Sequence, residues 1–327
     1  MSGEHLLRRR EAVRVPAPKS ISQGAQRSLS EGVARLAAAG DDPPTPKDAA
    51  GWKVAVAATD KTFEPMIEEV FRSAGDATVE RKVIGGVEVG VATPRTLRHK
   101  DRAHLRIHGG GFIFLGGRYV EADAARAASD GGCMAYSVDY RMPPDHPFPT
   151  PLDDCVAVYR ALLETYEPGK IAVSGASAGG NLSAALALKV RDLGLPLPGA
   201  VGMLTPATDL TRAGDTWETN YGFDYVLAGY GADNIGLYAN GHDLKHPYLS
   251  PLFGDFSKGF PPTFLQAGTR DRLLSDTVRM HRALLAAGVA ADLHVWEAMP
   301  HGGFGANAPE DAEVRRALQG FIDRMLG

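Results

Sequence analysis

Gly175-Ala176-Ser177-Ala178-Gly179-Gly180, a Gly-x-Ser-x-Gly segment directly after the apolar run Ile171-Ala172-Val173, decides how the chain is read. Behind it comes Asn181-Leu182-Ser183-Ala184-Ala185-Leu186-Ala187-Leu188-Lys189-Val190, rich in Ala and Leu, the strongest helix formers. A strand that turns abruptly into a helix presents one side chain at a strained apex. Glycines around the apex let the two backbones approach closely. The segment therefore predicts strand, exposed serine and helix, in that order. Such pentapeptides also arise by chance, so the rest of the chain must supply the serine's partners.

Outward from this elbow, strand and helix patterns alternate. Apolar or alternating runs at 78–84 and 87–91 flank Gly85-Gly86, a short hairpin signal. Further strands are predicted at 103–107, 133–139, 170–174, 201–204, 263–267 and 292–296. Helical stretches lie near 120–130, 152–166, 178–193, 275–287 and 309–326. Alternation of this kind predicts the α/β class: a mostly parallel, twisted sheet with helices on both faces.

Residues 1–75 contain no convincing strand. Leu29, Val33, Leu36 and Ala37 share one helical face, Asp41-Asp42-Pro43-Pro44-Thr45-Pro46 breaks that helix, and another is predicted over 63–73. From about 208 to 245 the connection is too long for a plain crossover and carries Trp217, Tyr221, Phe223, Tyr225, Tyr230 and Tyr238. Long insertions at the carboxyl ends of parallel strands form lids or pocket walls. The expected organisation is an N-terminal helical cap segment over 1–75, then a catalytic domain over 76–327 with a cap insertion at about 208–245. Whether the aromatics of that insertion are core or pocket stays open.

Bulk properties narrow the function. The 327 residues suit one large α/β domain or two average ones, and 44% hydrophobic with 23% charged residues is ordinary for a globular enzyme. A net charge of -4 and a pI near 6.2 speak against nucleic acid or an anionic membrane as main partner. Arg8-Arg9-Arg10 reads as a solvated tail, with no apolar stretch after it, so neither a signal peptide nor a membrane span is expected and a cytoplasmic protein is. Cys133 and Cys155 read as small buried hydrophobes.

A serine hydroxyl becomes nucleophilic only when a base takes its proton, and the base must be oriented by an acid. The best base is His301 in Met299-Pro300-His301-Gly302-Gly303-Phe304, just after the last strand. The best acid is Asp271 in Gly268-Thr269-Arg270-Asp271-Arg272-Leu273-Leu274, just after the penultimate one. The order Ser177, Asp271, His301 is that of α/β-hydrolases. His108-Gly109-Gly110-Gly111-Phe112 follows another strand, and its bare glycines can aim backbone N–H groups at developing negative charge. The N–H of Ala178, next to the nucleophile, would complete such an oxyanion hole.

Other residues are read as structural. Asp276 is expected to cap or open the helix after Asp271. The pairs His104/His108 and His242/His246 have the four-residue spacing of helical metal ligands, but neither is expected on a helix. No metal site is therefore expected, and no phosphate-binding glycine motif suggests a nucleotide.

Five motifs in order make the chain similar to the hormone-sensitive-lipase family of α/β-hydrolases, the bacterial family IV esterases. They are His108–Gly111, Asp139-Tyr140-Arg141-Met142-Pro143-Pro144-Asp145-His146-Pro147-Phe148-Pro149, the Ser177 elbow through Asn181, and the Asp271 and His301 loops. The resemblance covers roughly 75–327 and implies an α/β-hydrolase fold with a helical cap. It also implies Ser177 as nucleophile, His301 as base, Asp271 as its orienter, and Gly110, Gly111 and Ala178 as oxyanion donors. His108 and Gly109 would shape the glycine loop, and 141–149 would be a rigid turn. Three positions depart from the family pattern. Ala176 replaces the usual Asp, Glu or Thr; Arg272 stands where Asp-Pro-Leu has proline; and Gly303 extends His-Gly-Phe, suggesting a looser loop.

The function so implied is a serine carboxylesterase that needs no cofactor and acts on small-molecule esters; a wide cap with abundant aromatics and few long aliphatic tracts suggests short or medium acyl chains. A lactonase or amidase would use the same triad. A non-catalytic ligand-binding relative is the rival from another class, but such proteins tend to have lost a triad residue, and all three are present here. The resemblance is compatible with a homodimer; the oligomeric state stays open.

Overall fold

The computed structural model describes residues 15–38, 45–227, 232–305 and 308–327. The basic triplet Arg8-Arg9-Arg10, residues 41–44 of the helix break and Tyr230 lie outside the described residues.

Two helices open the described chain, α1 (Gln23–Ala38) and α2 (Ala49–Ser73). The helix expected at 63–73 begins at Ala49 because Asp48 caps it, its carboxylate accepting from the Gly51 N–H at 2.8 Å. β1 (Thr78–Ile84) and β2 (Val87–Thr93) form the predicted hairpin, with Gly85 and Gly86 at φ 61° and 84°. β3 (His99–Ile107), α3 (Arg118–Gly131), β4 (Cys133–Val138), α4 (Thr150–Leu162), β5 (Ile171–Ala176), α5 (Ala178–Asp192) and β6 (Ala200–Leu204) then alternate. After β6 come two short helices, α6 (Thr216–Thr219) and α7 (Ala232–Ala239). β7 (Thr263–Gly268), α8 (Leu274–Ala286), β8 (Ala291–Trp296) and α9 (Pro309–Leu326) close the chain.

The eight strands form one sheet in the order β1-β2-β4-β3-β5-β6-β7-β8, antiparallel at β1–β2–β4 and parallel thereafter. Successive residues face opposite layers. Ala172, Ala200 and Phe264 pack on Leu318, Phe321 and Ile322 of α9, whereas their neighbours Val173, Val201 and Leu265 pack toward α4, α5 and α8. Burial on both faces explains why the central strands read as apolar runs. From β3 the chain steps one way to β4, and from β5 it steps the other way through β6, β7 and β8. The order reverses between β3 and β5, where an open α/β sheet leaves a crevice beyond its carboxyl ends.

α2 lies on α3 through Ile67, Val70 and Ala122. α1 and the residues just before it pack Ile21, Ala25 and Leu29 against Met299 and Phe304 of the loop after β8. The aromatics after β6 divide. Tyr238 is fully buried and stacked on Phe112 at 3.9 Å, part of the core; Trp217 lines a cavity described below. Among the described residues no helix is long and apolar enough to cross a membrane.

Candidate active site

β5 runs straight into α5 through Ser177, whose backbone sits at φ 58° and ψ −119°. For a residue other than glycine that costs about 1–3 kcal/mol and persists only where the surroundings impose it. The Ser177 N–H donates to the Leu204 carbonyl at 2.9 Å, and the Ser177 carbonyl accepts from Asn181 and Ala207. The buried Asn181 amide donates to the carbonyls of Ala207 and Leu249, tying the segment after β6 to α5. Space for the turn depends on Gly179, where a Cβ would lie 2.0 Å from the Ile107 carbonyl oxygen.

β3 ends beside β5, and the glycine loop follows. Gly110, Gly111 and Phe112 take φ values of 93°, 59° and 69°, a tight curl of the kind that gathers N–H groups into an anion-binding concavity. His108 and Gly109 brace it. The His108 ring stacks on Tyr140 at 4.0 Å and its Nδ1 lies 2.9 Å from the Gly109 carbonyl. The Tyr140 hydroxyl donates to the carbonyls of His108 and Gly109. Burial holds His108 below the ordinary imidazole pKa, so the ring is a neutral prop.

Asp271 after β7 and His301 after β8 meet, with His301 Nδ1 3.0 Å from Asp271 Oδ1. Asp271 is fully buried, and its Oδ1 also accepts from the Leu273 N–H at 2.8 Å. With Nδ1 committed, Nε2 is the ring nitrogen left for chemistry. Burial opposes a charged imidazole, but the Asp271 charge and hydrogen bond, helped by the Asp224 charge, outweigh it and raise the His301 pKa.

Gly109, Gly110, Gly111, Ser177, Ala178 and His301 all line one cavity of about 230 Å³. Its far wall is apolar, built from Phe63 and Met66 of α2 and from Trp217, Leu227 and Ile235 beyond β6. Four strand ends thus deliver the predicted nucleophile, glycine loop, acid and base to one place.

Residues 104–305 match the family model of the α/β hydrolase fold. Esterase E25, a solved structure, is 36% identical to this chain with a TM-score of 0.86, covering 96% of this chain and 97% of that one. A solved esterase from the bacterial hormone-sensitive lipase family is 31% identical with a TM-score of 0.79, covering 94% and 99%. The chain belongs to the hormone-sensitive-lipase family of α/β-hydrolases. Carboxylesterase NlhH of Mycobacterium tuberculosis is 33% identical over 258 residues, 72% of this chain and 79% of its own. An acetyl-hydrolase of Streptomyces hygroscopicus is 34% identical over 215 residues, 63% and 70% of the two chains. This member of the hormone-sensitive-lipase family is a carboxylic ester hydrolase.

Its departures from the family pattern now have places. Ala176 puts a methyl group in the cavity wall. The Gly303 loop is pinned, not loose: Asp311 accepts from the Phe304 N–H at 2.8 Å, Ser28 of α1 donates to the Phe304 carbonyl at 2.7 Å, and Phe304 is 1% exposed. Gly303 is required there, because a Cβ would sit 2.4 Å from Asp311 Oδ1. Arg272 is buried with its guanidinium 4.4 and 4.9 Å from the ring centres of Trp217 and Tyr221. It donates to the carbonyls of Trp217 and Leu227.

One site residue escaped the sequence reading. Asp224 is fully buried, and its carboxylate, that of Asp271 and the His301 ring bring ligand atoms within 4.8 Å of one another. No motif marks it, since it lies amid the irregular segment after β6. Asp276 opens a helix as expected: it lies in the first turn of α8 and is buried there, where its Oδ2 accepts from the Asp209 N–H at 3.0 Å. The paired histidines have separate tasks. His104 Nε2 lies 2.7 Å from Ser174 Oγ, and the rings of His242 and His246 lie 5.1 and 5.7 Å from that of Phe148 in edge-type contacts. Burial raises both cysteine thiols, Cys133 to about 11.

Proposed function

We propose that the protein is a serine carboxylesterase working through an acyl-enzyme. His301 Nε2 removes the Ser177 hydroxyl proton as Oγ attacks the ester carbonyl. Asp271 keeps the imidazole oriented through Nδ1 and offsets the positive charge it acquires. The N–H groups of Gly110, Gly111 and Ala178 hold the oxyanion, and the position of Ala178 at the start of α5 adds the positive end of a helix dipole. His301 then gives the proton to the departing alcohol. In the second half it activates water, which releases the acid and restores the serine. The observation that carries this reading is a buried Asp271–His301 hydrogen bond opening onto the cavity that Ser177 lines.

A cavity of about 230 Å³ walled by side chains from both sides supports esters with short to medium acyl chains. The same walls support reading α2 and the segment from about 208 to 245 as parts of a cap over the catalytic domain. Turnover of p-nitrophenyl acetate, butyrate and octanoate by wild type and Ser177→Ala is the test, together with fluorophosphonate labelling. The expected result is label on Ser177 alone and loss of turnover in the variant by at least about 10³-fold. Retained turnover in Ser177→Ala would overturn the reading.

A further inference from the structure

Asp224 has a geometry that the triad alone does not require. Its Oδ1 accepts from the N–H groups of Val226 and Leu227 at 3.1 and 3.3 Å, and its Oδ2 accepts from the Arg272 N–H at 2.9 Å. A carboxylate given three backbone donors is held in one orientation and favoured in its charged form. It is held within 4.8 Å of both the acid and the base.

We propose that Asp224 is a positioning residue, a second buried carboxylate that acts through His301 and adds its charge to that of Asp271. This rests on reading His301 as the base. The Arg272 donor depends on a departure from the usual family motif. A proline, usual in the family after the acid, has no N–H to give. The departure from the family motif and the buried carboxylate are therefore two halves of one device. The Arg272 side chain supplies the rest, since its bonds to the Trp217 and Leu227 carbonyls fix the segment that carries Asp224.

The groups facing Asp224 come from three directions. Asp271 and His301 stand on the two triad loops, one raising and one lowering its pKa. Arg272 interacts with Asp224 and in turn with Glu218 and Arg212. Tyr225, the next residue in the chain, senses Arg35 of α1 and Asp311 of α9. Burial first, then the Asp271 charge, pushes the Asp224 carboxyl up to about 6, against the pull of His301 and the backbone donors. Asp224 and the imidazole beside it titrate as a coupled pair, so part of the support for the imidazolium is withdrawn in mild acid.

The test reads the ring and not turnover. His301 is titrated by NMR in ¹³C-histidine-labelled protein, its signal assigned with His301→Asn, in wild type and Asp224→Asn. Asn keeps the shape and removes the charge, so the expected result is a lower His301 pKa in the variant. The acid limb of kcat/KM should move down with it, and kcat should fall roughly tenfold. A purely structural role would lower thermal stability and leave the ring's pKa in place, and an unchanged pKa overturns the proposal. Should Asp224→Asn fail to fold, Asp224→Ser takes its place in the same comparison: a lower His301 pKa supports the proposal, and an unchanged one overturns it. Turnover retained by Ser177→Ala would sink the triad reading while leaving the ring comparison intact.

Discussion

Single atoms decide most of what happens at the elbow. Gly179 has no Cβ because the Ile107 carbonyl oxygen occupies its place, so Gly179→Ala forces β3 and α5 apart. The expected cost is about 3 kcal/mol or more, read as a fall in the denaturant midpoint. At Ser177 the backbone is strained whatever side chain it carries, unless the residue is glycine. Ser177→Gly should therefore be inactive yet more stable than wild type by about 1 kcal/mol in the same measurement. As the proposed base, His301 must be neutral to accept a proton, and its pKa is raised above 6.5. Activity is thus expected to fall as pH drops through a midpoint above the ordinary histidine value, and a kcat/KM profile with the acid limb below 6.5 would contradict it.

Elements position these atoms through contacts that run between distant parts of the chain. Phe304 joins α1 to the base loop in one apolar cluster with Leu29 and Met299. Phe304→Ala should cost about 3–5 kcal/mol and lower kcat more than it changes KM, because it frees the loop that carries the base. Asp276 ties α8 to the segment after β6, and burial raises its pKa well above the ordinary carboxylate value. The folded chain then holds this proton more tightly than the unfolded chain. That contribution is full below the unfolded-state pKa and is lost as pH rises through the folded-state value. Asp276→Asn should accordingly raise the melting temperature at pH 8 and not at pH 4, as calorimetry would show.

The same scale explains what the sequence could disclose. The alternating strands, the elbow, the glycine loop and the acid and base loops are local patterns, each a few residues long, and each appears where the pattern put it. The first half of α2 was missed because Ala49–Thr59 has no clear apolar face and its start depends on one side-chain cap at Asp48. Asp224 could not be read because its meaning comes from a neighbour 47 residues on, Asp271, and from one N–H of Arg272. The aromatics after β6 divide between core and cavity by tertiary packing alone.

Over the whole molecule, the sheet fixes where chemistry occurs while the helices around it fix what enters. Phe63 of α2 lines the same cavity as Ser177 and His301. Phe63→Ala should lengthen the acyl chain that gives the highest kcat/KM across a p-nitrophenyl ester series, and an unchanged optimum would argue against α2 as a wall. The two rims of the sheet answer to different demands. The loops that carry His108–Gly111, Ser177, Asp271 and His301 leave from the carboxyl ends of strands, whereas the turns entering β5, β6 and β8 hold Gly169, Gly194 and Gly288 with open space where a Cβ would go. Peptide tags or whole reporter modules spliced into that quiet rim should leave hydrolysis untouched, which gives a handle for tethering this protein to a support by its back.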